Sequence, residues 1–256
     1  MKRHNTSVGG ILWKSGICLA ALALVVSLFW ACTSGPVVNK PRIAVSVQPQ
    51  KYMLEQIAGK HCDVICLLPE GVATTGFDAS ITHLMNIAGC SAYMMIGNIP
   101  LEHAIMGKIK NTYPALKLYD CSEGLSVIVS ASDSLPDQYT WNSVKNAKVI
   151  SYNMYKALAE IDPTNEGYYR RRMSRFLHRL DELDRELRAT LSASDRRLFI
   201  PAKPELSYFA RDYGLLQVTD ENSVPDSAAV ARVDVNLYGY QWPDAMRRVA
   251  QSIVGK

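Results

Sequence analysis

Histidine is scarce in this 256-residue chain, five in all, and the six cysteines follow no zinc-finger or disulfide-scaffold spacing. There is no Gly-x-Ser-x-Gly elbow, no phosphate loop, and no histidine beside a plausible nucleophile and carboxylate. Catalysis is therefore not expected. Periodic glycine or proline is also missing, which excludes a fibre, and 48% hydrophobic with 20% charged residues excludes a wholly disordered chain. The charge surplus is small, 28 basic against 24 acidic residues for a net +4. Lys2, Arg3 and Lys14 precede residue 32, where no acid occurs, and discounting them leaves +1. A near-neutral body gives no electrostatic reason to expect a nucleic-acid partner.

The first 31 residues read as a secretory signal: a basic start, then an uncharged apolar run over 16–31. That run is shorter than the roughly 20 residues of a spanning helix. Ala31-Cys32 at its end is similar to a bacterial lipoprotein processing site, which makes Cys32 the candidate lipidation residue; an uncleaved membrane anchor is the alternative. Residues 32–41, rich in Ser, Gly, Pro and Asn, read as a tether. The folded part is then expected outside the cytoplasmic membrane, facing the periplasm or the cell surface, where Cys62, Cys66, Cys90 and Cys121 meet an oxidising environment. On a strand over 61–68, Cys62 and Cys66 lie about 13 Å apart, too far to pair with each other.

From residue 42 the pattern alternates. Short β-rich runs over 42–47 and 63–68 enclose a helix over 52–58, a βαβ unit. A helix over 81–87, a strand over 92–96 and a helix over 101–109 continue it. A largely parallel sheet follows, with its ligand-facing edge in the loops over 69–78 and 97–100. A helical zone begins near Val144. Asp162-Pro163 interrupts it, with Asp162 as N-cap, and a helix over 163–191 of about 43 Å is expected. Tyr169, Met173, Phe176, Leu180, Leu183, Leu187 and Leu191 form one apolar stripe on it, and its charges read as a solvated face. A strand over 197–200, a helix over 205–213 and a strand over 215–219 open a second α/β unit, and 244–254 closes the chain as a helix.

Four phrases stand in order along the chain: Leu67-Leu-Pro-Glu-Gly71, Trp141-x4-Asn146-Ala-Lys148, Ile161-Asp-Pro-Thr-Asn165 and Ser207-Tyr-Phe-Ala-Arg-Asp-Tyr-Gly-Leu215. With them the chain resembles the solute-binding lipoproteins of ATP-driven zinc and manganese importers. The resemblance implies two α/β lobes with parallel sheets, bridged by a long rigid helix, and a metal-binding cleft. It places the N-terminal lobe at 42–143, the bridge at 144–192 and a reduced C-terminal lobe at 193–256. It also implies an ABC permease as partner, a membrane-tethered monomer, and zinc or manganese as cargo.

That family holds its ion with three histidines and a carboxylate, good donors for such ions. The register of the resemblance puts Thr75, Tyr139, Lys203 and Asn236 at those four positions. A neutral hydroxyl, a phenol with a pKa near 10 and an ammonium are poor zinc donors. Weak or lost metal binding is therefore expected; a metal-delivery protein with altered ligands and a structural or protein-interaction lipoprotein are the alternatives. His61, His83, His103 and His178 are expected at the surface or in the core. The Glu102-His103 pair is the first to test as a substitute, and Cys121 a more distant one.

Overall fold

The computed structural model describes residues 40–77, 81–129, 134–220 and 230–255, and Lys40–Lys256 form one compact unit. Cys32, the signal and most of the tether lie outside the described residues, as does Asp78 of the first cleft loop. Among the described residues no helix is long and apolar enough to cross a membrane.

The first sheet is wholly parallel in the order β2-β1-β3-β4, with β1 at Arg42–Val45, β2 at Asp63–Cys66, β3 at Ala92–Met95 and β4 at Lys117–Asp120. Helices α1 (Gln48–Ala58), α2 (Ile81–Ala88) and α3 (Pro100–Thr112) alternate with the strands. Proline stands at the start of α1 and α3, where its missing N–H costs nothing. Strand β4 escapes the sequence reading because Lys-Leu-Tyr-Asp at a sheet edge carries no run of β-branched residues.

Two helices connect this lobe to the next. Ser143 caps α4 (Val144–Ile161), its side chain accepting from the Asn146 N–H at 2.9 Å. Helix α5 runs over Glu166–Ser192, about 40 Å, after a 3-10 turn at Pro163–Asn165. All seven residues of the expected stripe are buried on it. Asp162, the N-cap expected from sequence, makes no side-chain cap to the backbone. Its carboxylate accepts instead from Asn165 Nδ2 at 2.7 Å and Tyr169 Oη at 2.6 Å, which ties the turn to the helix.

The second sheet has three parallel strands in the order β6-β5-β7: β5 at Leu198–Pro201, β6 at Leu216–Gln217 and β7 at Ala231–Val233. Helix α6 spans Ser207–Tyr213 and α7 spans Trp242–Val254. α6 starts two residues later than the sequence suggests, and Glu205 ahead of it is buried. The architecture is the expected one: two α/β lobes with parallel sheets, the second smaller, and a long helix between them.

Candidate functional site

The four positions singled out by register all lie beyond strand C-termini, where parallel sheets present their loops to ligands. Thr75 follows β2, Tyr139 follows β4 in the segment leading to α4, Lys203 follows β5 and Asn236 follows β7. Thr75, Lys203 and Asn236 are exposed, and Tyr139 is buried.

Three of them gather around a residue the sequence reading passed over. Tyr238 lies with its ring centroid 6.5 Å from that of Tyr139 and 6.3 Å from Trp141, all edge-on, and Lys203 Nζ sits 5.8 Å from the Tyr238 centroid. Asn236 Oδ1 accepts the Tyr238 backbone N–H at 2.8 Å, while its Nδ2 donates to Gly71 O at 3.3 Å. The Tyr238 phenol donates to Glu205 Oε1 at 2.6 Å. Gly71, in the Thr75 loop, donates its N–H to Tyr238 O at 3.2 Å, and Tyr240 N donates to Glu70 Oε1 at 3.0 Å. The loop after β2 and the segment after β7 are thus stitched together across the cleft. Gly71 has φ +79°, a left-handed turn that favours glycine there.

The electrostatics follow from burial. Desolvation raises the Tyr139 phenol, although hydrogen bonding to Tyr238 opposes it. Tyr238 is raised well above the ordinary phenol range, first by burial and then by donating to Glu205. Burial also raises the Glu205 carboxyl, against the pull of the Tyr238 hydrogen bond and the Lys203 charge. The centre therefore offers two neutral phenols and one carboxyl group already accepting a proton donor, with the Lys203 side chain beside them. Beside it are a small cavity of about 120 Å³ walled by Lys203, Asp234, Asn236 and Tyr238, and a larger one of about 560 Å³ walled by Asn98, Asp137, Tyr139, Ser207 and Thr219.

The histidines do not converge. His61 packs on Tyr168 at 4.4 Å between centroids, His83 on Phe77 at 5.2 Å, and exposed His178 faces Glu182 at 3.4 Å. The Glu102-His103 pair splits: His103 is exposed on α3, whereas Glu102 is buried. Among the described residues no group of three His, Cys, Asp or Glu side chains is placed to hold a metal ion. Cys62, Cys66, Cys90 and Cys121 are free thiols, pushed up by burial to about 11, 12 and 11 for the first three and higher still for Cys121. They stay protonated and are poor metal donors at neutral pH.

Glu102 is spent on the fold. It accepts from Ser46 Oγ, from Ile96 N at 2.9 Å and from Gly97 N at 2.8 Å, holding the turn after β3 at a glycine with φ +98° whose Cβ would strike Ser122. Burial lifts its carboxyl from 4.5 to about 7 despite these donors. The folded state thus keeps a proton that the unfolded state has released between pH 4.5 and 7, so stability falls as pH rises through that window. Thermal melts from pH 5 to pH 8 should show a loss of about 3 kcal/mol that Glu102→Gln removes. An identical pH profile in the variant would contradict this role.

A family described as zinc-uptake complex component A, periplasmic, matches residues 43–235. The chain belongs to that family. The high-affinity zinc uptake system protein ZnuA of Bacillus subtilis is 24% identical over 248 residues, 89% of this chain and 77% of that protein. A candidate metal-binding protein of Chlamydia trachomatis is 27% identical over 205 residues, 78% and 72% of the two chains. A zinc-bound ZnuA deletion mutant superposes with a TM-score of 0.77 at 25% identity, covering 84% of this chain and 97% of that one. The family consists of metal-binding, substrate-binding components of ABC importers, which work with permease and ATPase subunits; it is not a family of enzymes.

Proposed function

We propose that this chain is a membrane-tethered, extracytoplasmic solute-binding protein whose ancestral zinc position binds zinc weakly or not at all. The observation that carries the reading is the occupied centre of the cleft. The Tyr238 phenol and the Glu205 carboxylate satisfy each other at 2.6 Å, with the Tyr139 ring and the Lys203 ammonium both close to the Tyr238 ring. An incoming ion would have to break that bond and tolerate the ammonium. Two unit charges of like sign 4 Å apart repel by about 4 kcal/mol at an effective dielectric of 20, and a divalent ion doubles this. Thr75 and Asn236, the other two positions, supply neutral oxygen and nitrogen atoms only.

In this reading Cys32 carries the lipid, residues 33–41 are the tether, and the folded body works as a monomer that binds without catalysis. It meets a permease as its family does, with the cleft presenting Lys203 and a phenol pair in place of an ion cage. Calorimetric titration of the metal-stripped protein with zinc and with manganese tests the central claim. No unit-stoichiometric binding tighter than about 10 μM is expected, because the donor set lacks the imidazoles that make such sites strong. A one-to-one isotherm with a submicromolar Kd would overturn it and restore metal delivery through altered ligands.

A further inference from the structure

The outer side of α5 carries a concentration of positive charge that the cleft does not use. Arg171, Arg175 and Arg179 are exposed along it, with Arg172 half-buried. Gln56, Arg172, Arg175, His178 and Arg179 wall an open groove of about 580 Å³. The sequence reading takes the charges of this helix as a solvated face. His178 on this helix faces the Glu182 carboxylate, while the four arginines turn to other partners. Arg172 donates to the backbone oxygens of Glu55 and Gln56 at the end of α1, Arg179 to the Gln56 side chain at 2.7 Å, and Arg175 to Arg171 O. Among the described residues none of these four guanidinium groups has a carboxylate within 4 Å, whereas Arg188, Arg211 and Arg247 each have one at about 3 Å.

The basic face adjoins the point where the chain leaves the folded body. Pro41 O accepts from Asp63 N at 3.0 Å, and the Lys40 charge is felt at Cys62. Cys62 Sγ lies 3.5 Å from Tyr169 Oη on the first turn of α5, and Gly59 abuts Tyr168 and Arg172. The eight residues 33–40 reach at most about 27 Å when fully extended. Whether held by lipid on Cys32 or by an uncleaved apolar run, the body then stays close to the bilayer, and the described chain starts at Lys40 beside this face.

We infer that the arginine face of α5 rests on an anionic membrane surface, its guanidinium groups meeting phosphate headgroups. The inference rests on the membrane tether proposed above. Arginine forks match phosphate oxygens in pairs, and a basic patch beside a lipid anchor is one of the combinations that hold a protein stably on a membrane. A bare solvated face would gain nothing from lacking carboxylates, whereas an anionic surface attracts each arginine about fivefold within a Debye length.

Arginine footprinting with phenylglyoxal on the vesicle-bound full-length protein tests this. Arg171 and Arg175 should be modified at least about threefold more slowly on vesicles holding a third phosphatidylglycerol than on pure phosphatidylcholine. Salt at about 0.5 M should restore the rate, and Arg197, exposed beyond the far end of α5, should react alike on both. Equal rates at Arg171 and Arg175 on the two vesicle types overturn the inference and leave an acidic protein as the partner to seek. A chain that fails to float with either vesicle overturns the tether as well, so the two failures are distinguishable.

Discussion

Zinc affinity should rise at least about a thousandfold, about 4 kcal/mol, when Thr75, Tyr139 and Lys203 are all replaced by histidine. Three changes act in the same direction. Imidazole nitrogens replace a hydroxyl and a phenol, both weaker donors to zinc at neutral pH. Removing the Lys203 ammonium abolishes a repulsion of several kcal/mol. Losing the Tyr139 phenol opens space beside Tyr238, whose ring lies 6.5 Å away. Calorimetry and competition with a chelating dye read the gain. The fourth donor then has two sources, the Glu205 carboxylate or position 236, and they give different results. If Glu205 closes the site, adding Glu205→Gln reverses most of the gain; if position 236 closes it, Asn236→Asp increases the gain and Glu205→Gln leaves it. A triple variant that keeps its circular dichroism and melting curve but binds zinc no better would show that the three positions do not share a site.

The scaffold of this cleft was legible where a periodicity had to be obeyed, and illegible where single residues decided. The α5 stripe reads from spacing alone because a 27-residue helix packed on one side must repeat its apolar residues every three or four positions. Strands β1 and β2 read from runs of β-branched residues. Strand β7, only Ala231-Arg232-Val233, is too short to leave a pattern, although it completes the second sheet and delivers Asn236 and Tyr238 to the cleft. Glu205 and Tyr238 stand 33 residues apart, and a single hydrogen bond between them has no signature in either neighbourhood. Glu102 misled for the same reason: next to His103 on a helix just after a cleft-side loop, it resembled a ligand pair. A helix turns successive residues about 100° apart, so one went to the core and the other to solvent.

The largest stability effect should come from Trp141→Ala, at about 3–5 kcal/mol. Trp141 is fully buried and packs edge-on against Tyr139 at 5.6 Å and Tyr238 at 6.3 Å, so its indole spans both sides of the cleft. Its neighbours hold the same junction through polar contacts. Asn142 Nδ2 donates to Glu205 O at 2.9 Å, Tyr208 Oη donates to Asp137 O at 2.9 Å, and Asn146 Nδ2 donates to Thr140 O at 3.0 Å. Truncation would leave a cavity between segments that these bonds keep from collapsing, the condition under which large-to-small changes cost most. The indole N–H has no acceptor among the described residues, so Trp141→Phe loses area but no hydrogen bond and should cost less than half as much. Urea unfolding of the two variants measures both. If Trp141→Ala melts within about 1 kcal/mol of the parent, the aromatic cluster does not lock the lobes, and the Tyr238–Glu205 pair must be held by α4 and the β7 loop alone.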